Sequence, residues 1–305
     1  MLTDVYRPDF LKKLGRLRLR VRAGIGLRPG HTLIPRRSQS SGIEFESYKE
    51  YAAGDDFRYV DWNAVGRLDQ VLVRVFTAER EIPVHLLLDA SASMGVPIAD
   101  QKFAFAKGLA AALAYIVLAR SDALRLAVVR EGKNKEALPF FATGFLRHEG
   151  RFLQLRPLLE DLAAAGRTVL REGVRAYLGR TREPGVAVVV SDFHVEPAEY
   201  EDALARLVAR GYEVKALHVL GALELDPRRL FRRGRLYDVE RHDERFVTLT
   251  QHNLRRYRSA LQAHIEGLRE FCHRHEIFYA VASTEGGLEG VLTRELPHLG
   301  LLGWR

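Results

Sequence analysis

An aspartate followed at alternate positions by two serines, Asp89-Ala90-Ser91-Ala92-Ser93, stands directly after the apolar run Leu86-Leu87-Leu88. A carboxylate and two hydroxyls leaving one tight loop are hard oxygen donors. They suit a small divalent cation that keeps part of its water shell and demands near-octahedral geometry. Three donors do not complete such a shell, so others must come from elsewhere. A second apolar run ends in acid, Val186-Ala187-Val188-Val189-Val190-Ser191-Asp192, and Gly166-Arg167-Thr168-Val169-Leu170 offers a hydroxyl at a helix start. The expected ligands are therefore Asp89, Ser91, Ser93, Thr168 and Asp192. Mg2+ is the expected ion, with Mn2+ or Ca2+ as alternatives.

The elements that must position these residues follow from periodicity. Apolar runs predict strands over Val84–Leu88, Leu124–Val129, Val186–Val190, Val214–Leu220 and Ile277–Ala282, and Ala137–Phe141 reads as an antiparallel edge strand. Between them lie helical stripes: Phe103, Ala106, Leu109, Ala110, Leu113 and Val117; Tyr200, Leu204, Leu207 and Val208; and Leu254, Tyr257, Leu261, Ile265, Leu268 and Cys272. Strand and helix in alternation predict an α/β fold, a doubly wound, mostly parallel sheet with helices on both faces. With strand order 3-2-1-4-5-6, the first and fourth strands are neighbours and ligands bind at their carboxyl ends. That order sets Asp192 beside Asp89.

Two regions are expected. Residues 1–81 are rich in Arg, aromatic and Gly residues and contain the strand Val71–Phe76; residues 82–305 form the α/β domain. An insertion at 226–250, with an Arg-rich start and two short strand-like runs, reads as a hairpin outside the main sheet.

Composition narrows the function classes. Of 305 residues 47% are hydrophobic, ample for a core, so disorder is excluded. Lys plus Arg exceed Asp plus Glu by 47 to 39, which permits an acidic partner or nucleic acid without specifying either. The single Cys272 excludes an internal disulfide and a Cys-rich zinc site, and fits a reducing compartment, the cytoplasm. No apolar run is expected to reach the ~20 residues that cross a bilayer. The basic N-terminal stretch alternates Arg with Leu and so lacks the apolar block of a signal peptide.

Other motifs read as structure. Gly24-Ile25-Gly26-Leu27-Arg28-Pro29-Gly30 lacks the strand and spacing of a dinucleotide loop, and no Walker Gly-x-x-x-x-Gly-Lys is present. Acids of Gly54-Asp55-Asp56 are expected to pair with Arg58, Arg67 or Arg74. His273 and His275 point about 200° apart on a helix and cannot share an ion. His85 lies within a strand, whereas His194 sits two residues beyond Asp192, at the rim of the expected site. The Arg228–Arg235 cluster lacks interleaved aromatics that would stack bases, so it reads as a partner-facing hairpin.

Asp89-x-Ser91-x-Ser93 with Thr168 and Asp192 resembles the metal-ion-dependent adhesion site of von Willebrand factor A domains. Glu44-Phe45, Tyr48 and Tyr51-Ala52-Ala53-Gly54-Asp55-Asp56-Phe57-Arg58-Tyr59-Val60-Asp61-Trp62 resemble the signature of domain-of-unknown-function family 58, and the likeness continues through Arg74, Glu79, Arg80 and Ser191-Asp192-Phe193 to the insertion. One departure is local: Asp238-Val239-Glu240 is followed by Arg241-His242, where similar chains often carry Thr-Gly. The resemblance implies a non-catalytic, Mg2+-dependent adaptor that docks an acidic residue of a partner. That partner would be a MoxR-type AAA+ ATPase or its acidic client. Two alternatives remain: a Mg2+-dependent phosphoryl-transfer or hydrolytic enzyme, for which position 91 would hold an acid rather than Ser, and a basic nucleic-acid binder.

Overall fold

The computed structural model describes residues 2–22, 44–52, 55, 57–68, 70–77, 81–132, 137–229, 233–237, 239–240 and 244–304. The chain forms two compact units, Met1–Gly26 with Ile82–Arg305, and Leu27–Glu81. The first region is therefore not one piece from 1 to 81. Its opening segment joins the larger unit because Val5, Leu14 and Leu17 are fully buried in that unit's core. Leu17–Leu19 also pairs antiparallel with Leu302–Trp304, giving its backbone groups partners they would otherwise lack.

The larger unit is built on six strands: β1 (Pro83–Asp89), β2 (Ala123–Val129), β3 (Phe140–Ala142), β4 (Val186–Ser191), β5 (Glu213–Leu220) and β6 (Phe278–Ser283). Their order is β3-β2-β1-β4-β5-β6. All neighbours run parallel except β2 and β3. β3 begins at Phe140, later than the expected Ala137, because Pro139 has no N–H for the ladder.

Alternation along the strands sorts side chains to two cores. Val84, Leu86 and Leu88 of β1 join one cluster and Leu87 the other. The first is covered by helix α1 (Lys102–Leu118), the second by α2 (Leu170–Leu178), α3 (Pro197–Ala209) and α4 (Gln251–Arg274). Whereas α4 buries Leu254, Ile265, Leu268 and Cys272 of its expected stripe but leaves Tyr257 exposed and Leu261 half-buried, α1 is buried almost all round. A helix without a polar face belongs in a core. The stretch Ile98–Leu118 does reach the length and apolarity that could cross a bilayer, contrary to expectation, but 83% of its most apolar window is buried within the fold.

In the smaller unit Glu44–Glu50 pairs antiparallel with Leu72–Thr77. Asp61 caps the helix Trp62–Leu68, accepting from Asn63 N at 3.0 Å and Ala64 N at 3.3 Å, and takes the Tyr48 hydroxyl at 2.8 Å. Asp55 is held by Lys49 at 2.5 Å and by Ala52 N at 3.0 Å, not by the expected arginines. Gly54 and Asp56 lie outside the described residues, as do Gly24–Gly30.

β4 starts beside β1 only because Gly185 has no side chain: a Cβ there would lie 2.0 Å from the Pro83 carbonyl oxygen. Gly185→Ala is expected to cost about 1–3 kcal/mol, as overpacking does. Urea unfolding checks this, and an unshifted midpoint would show that the strands part at no cost.

Candidate functional site

Because β1 and β4 are hydrogen-bonded neighbours of the same direction, Asp89 and Asp192 leave the sheet at one edge. The Asp89–Ser93 loop is stitched to the loop before α2 by Ala92 N to Gly166 O at 2.8 Å and Ala165 N to Ala90 O at 2.9 Å. Those bonds carry Thr168 to the same mouth. Thr168 does not cap α2, whose N-cap is Val169; its side chain is directed to other partners.

All five expected residues are buried and converge. Ser93 Oγ is the hub, 3.0 Å from Ser91 Oγ, 3.4 Å from Thr168 Oγ1 and 3.3 Å from Asp192 Oδ1. Asp89 joins from the side: Oδ1 accepts Ser91 N at 2.9 Å and Oδ2 accepts the Ser191 hydroxyl at 2.6 Å. Ser191 Oγ in turn accepts Phe193 N at 2.9 Å. Phe193 is buried with φ of 50°, a left-handed conformation costly for a bulky residue and one that clusters at functional sites.

This donor set fits a hard divalent ion. Adjacent oxygens of an octahedral ion with bonds of about 2.0–2.1 Å lie roughly 3 Å apart, close to the spacings around Ser93. They are longer than the usual hydroxyl hydrogen bond of about 2.7–2.8 Å. One Ser93 proton serves at most one of its three neighbours, so lone pairs remain in the cluster.

Two buried carboxylates side by side must be compensated. Burial, and then the neighbouring Asp192 charge, push the Asp89 carboxyl up to about 6. Burial would raise Asp192 as well, but the His194 imidazole and the Lys102 ammonium hold it down to about 2. Lys102, at the start of α1, is 1% exposed; its Nζ donates to Asp192 Oδ2 at 2.9 Å and to Glu224 Oε1 at 2.6 Å. Against burial, those two acids keep its pKa above the usual lysine value.

Asp192, His194 and Glu224 also bring potential ligand atoms within 4.8 Å of one another. The Lys102 ammonium already bonds both carboxylates, so that trio is satisfied as an ion-pair cluster. His194 lies at the rim as expected, Nδ1 3.5 Å from Asp192 Oδ2. Behind it stand His264 and His218, ring to ring at 5.6 Å. Burial drives the His218 pKa down to about 3, so it is neutral.

Three residues not expected from sequence hold the site: Lys102, Glu224 and Glu240. Glu240, in the insertion, accepts Thr168 Oγ1 at 2.7 Å and Thr168 N at 3.1 Å. The one signal for Lys102 was a charge opening a helix whose only other charge is Lys107. His85 is a core residue, its Nδ1 2.6 Å from Tyr177 Oη. His275 lies beyond the end of α4, against Phe271.

A family model described as "Protein of unknown function DUF58" matches residues 47–266. Uncharacterised proteins of Mycobacterium bovis and Mycobacterium tuberculosis are each 30% identical over 188 residues, 61% of this chain and 56% of their own length. The match thus spans little more than half of those relatives. Among solved structures, a conserved hypothetical protein BatB from Bacteroides thetaiotaomicron is 14% identical, with 72% of this chain and 98% of that one covered and a TM-score of 0.43. The pilus adhesin SpaC from Lactobacillus rhamnosus GG is 11% identical, with 73% and 31% covered and a TM-score of 0.43.

An acid raised from 3.8 to about 6 binds its proton more tightly folded than unfolded. Its contribution to stability is therefore full below pH 3.8 and is lost as pH rises through about 6. Asp89→Asn should stabilise the metal-free protein at pH 7.5, by about 3 kcal/mol at most, with the gain shrinking toward pH 4. Urea unfolding in chelator across that range checks it; a pH-independent gain would show that charge is not the cause. Lys102→Met should cost about 3–5 kcal/mol by stranding buried acids, and clearly less in an Asp192→Asn background. Additive costs in the same assay would mean that the pair is not coupled.

Proposed function

The chain belongs to the DUF58 family, and from the oxygen-lined mouth of its sheet we propose that it is a non-catalytic, Mg2+-dependent protein-binding adaptor of the von Willebrand factor A type. The observation that carries this reading is the meeting of three loops at one mouth, with Ser91, Thr168 and Asp192 around the Ser93 hydroxyl and Asp89 beside them on Ser91 N. These five residues would hold the ion. The ion, when bound, supplies a Lewis-acidic position open to an outside oxygen ligand.

The balance of charge favours an acidic partner. Three of the five donors are neutral hydroxyls, and one carboxylate, Asp192, is already neutralised by Lys102. A hard dication held mostly by neutral hydroxyls, with a coordination position open, takes an anionic oxygen best, so a Glu or Asp side chain of a partner is the matching ligand. A MoxR-type AAA+ ATPase, or an acidic client it acts on, is the partner we propose, in the reducing cytoplasm that the single buried Cys272 suits.

Catalysis is a poorer reading. Both Asp89 oxygens accept internal hydrogen bonds and the residue is 2% exposed, which disfavours a phosphoryl-accepting nucleophile. Lys102 could balance charge in phosphoryl transfer, but its ammonium is bound by Asp192 and Glu224, and Ser91 stands where a second acid would be needed.

Asp89→Ala is expected to reduce Mg2+ and Mn2+ affinity below detection by calorimetry while circular dichroism stays unchanged. Asp192→Ala should weaken binding less, because Lys102 already shares that carboxylate. Retention of a MoxR-type ATPase on the immobilised protein should require metal and be lost with Asp89→Ala. Unchanged metal affinity in Asp89→Ala would refute the site.

A further inference from the structure

The insertion reaches the site at its tip. Its strands Arg233–Tyr237 and Glu244–Thr248 pair antiparallel with Tyr237 opposite Glu244, and Glu240 lies in the connection between them. Each Glu240 oxygen accepts from Thr168, Oε1 from the hydroxyl and Oε2 from the N–H. Two-point capture by a hydroxyl and a backbone N–H is one way to seat a carboxylate. Thr168 Oγ1 also lies 3.4 Å from the hub hydroxyl of Ser93. The chain thus seats one of its own carboxylates at the edge of the oxygen cluster.

From this geometry we infer that Glu240 is a tethered competitor: the hairpin tip occupies the carboxylate seat at Thr168, and a partner's Asp or Glu must displace it to dock. The inference rests on the acid-docking reading of the site given above. The insertion is fastened differently at its two ends, which makes release of the tip feasible. At its base Glu224 is held by Lys102, its carbonyl by the Tyr257 hydroxyl at 2.8 Å, and Asp226 pairs with Arg228 and with Arg258 of α4. Its strands form a separate two-stranded ladder, and such a ladder is marginal by itself. Tyr237 and Phe246 are 56% and 59% exposed, so neither ring anchors the hairpin in a core. Arg233 and Arg235 on its first strand are exposed and suit acidic residues flanking the docked one.

A rival role for Glu240 is to orient Thr168 for the ion, as partners of ligating residues do. The two roles predict opposite signs. The probe is an end-capped, fluorescein-labelled peptide of alternating Asp and Gly, titrated by anisotropy against the full chain with Mg2+ and with chelator. Glu240→Ala and Glu240→Gln should each bind it at least fivefold tighter than wild type in Mg2+. In wild type, probe plus Mg2+ should speed amide exchange over 233–248. Equal or weaker binding by both variants, with Mg2+ dependence retained, would overturn the competitor role and leave acid docking standing. Binding that is indifferent to Mg2+ in every protein would overturn acid docking itself, and the competitor with it.

Discussion

Two carboxylates are forced together at the carboxyl ends of adjacent buried strands, and much of the larger unit exists to make that tolerable. Asp89 and Asp192 are 2% and 0% exposed. Neither can shed its charge into water, so each is answered from the protein: Asp89 by the Ser191 hydroxyl and a backbone N–H, Asp192 by Lys102 and the His194 N–H. The answers are unequal. Asp89 receives neutral donors and holds its proton more firmly; Asp192 receives a full cation and gives its proton up readily. A dication would act most strongly on Asp89, whose charge is the less compensated.

That requirement propagates outward. The ammonium that serves Asp192 comes from the first turn of α1, so the most apolar helix of the fold enters the core beside the most polar cluster. Glu224 shares the same ammonium and ties the start of the insertion to it. Asp100 then fixes the Ala222–Leu225 helix by accepting Leu223 N at 3.0 Å through either oxygen, against a Gly221 that leaves no room for a Cβ.

The α/β fold was legible because parallel strands buried on both faces read as unbroken apolar runs. Strand order followed from chain order once Phe140–Ala142 was given the edge. Less legible was the depth of α1: its stripe from Phe103 to Val117 marks a helix, but the Ala, Gly and aliphatic residues on its other faces are buried as well. The division of residues 1–81 was missed because the segment around Leu14 and Leu17 packs on elements far along the chain. In the site, the five oxygen donors stood out by their position at strand ends or a helix start. Lys102 and Glu224 did not, since they meet their partners across 90 and 122 residues and lie in no local motif; Glu240 stood in Asp238-Val239-Glu240 of the insertion, but nothing local tied it to Thr168, 72 residues away.

The pairing of Leu17–Leu19 with Leu302–Trp304 has a kinetic side. These strands lie about 290 residues apart, so closing that loop is among the costlier entropic steps of folding. During synthesis at roughly 5–20 residues per second, the early strand waits tens of seconds for its mate to leave the ribosome. Until then Leu14 and Leu17 have a core to settle against but an unzipped backbone edge. The nascent chain therefore has an interval in which a chaperone, or another strand, can take that edge first.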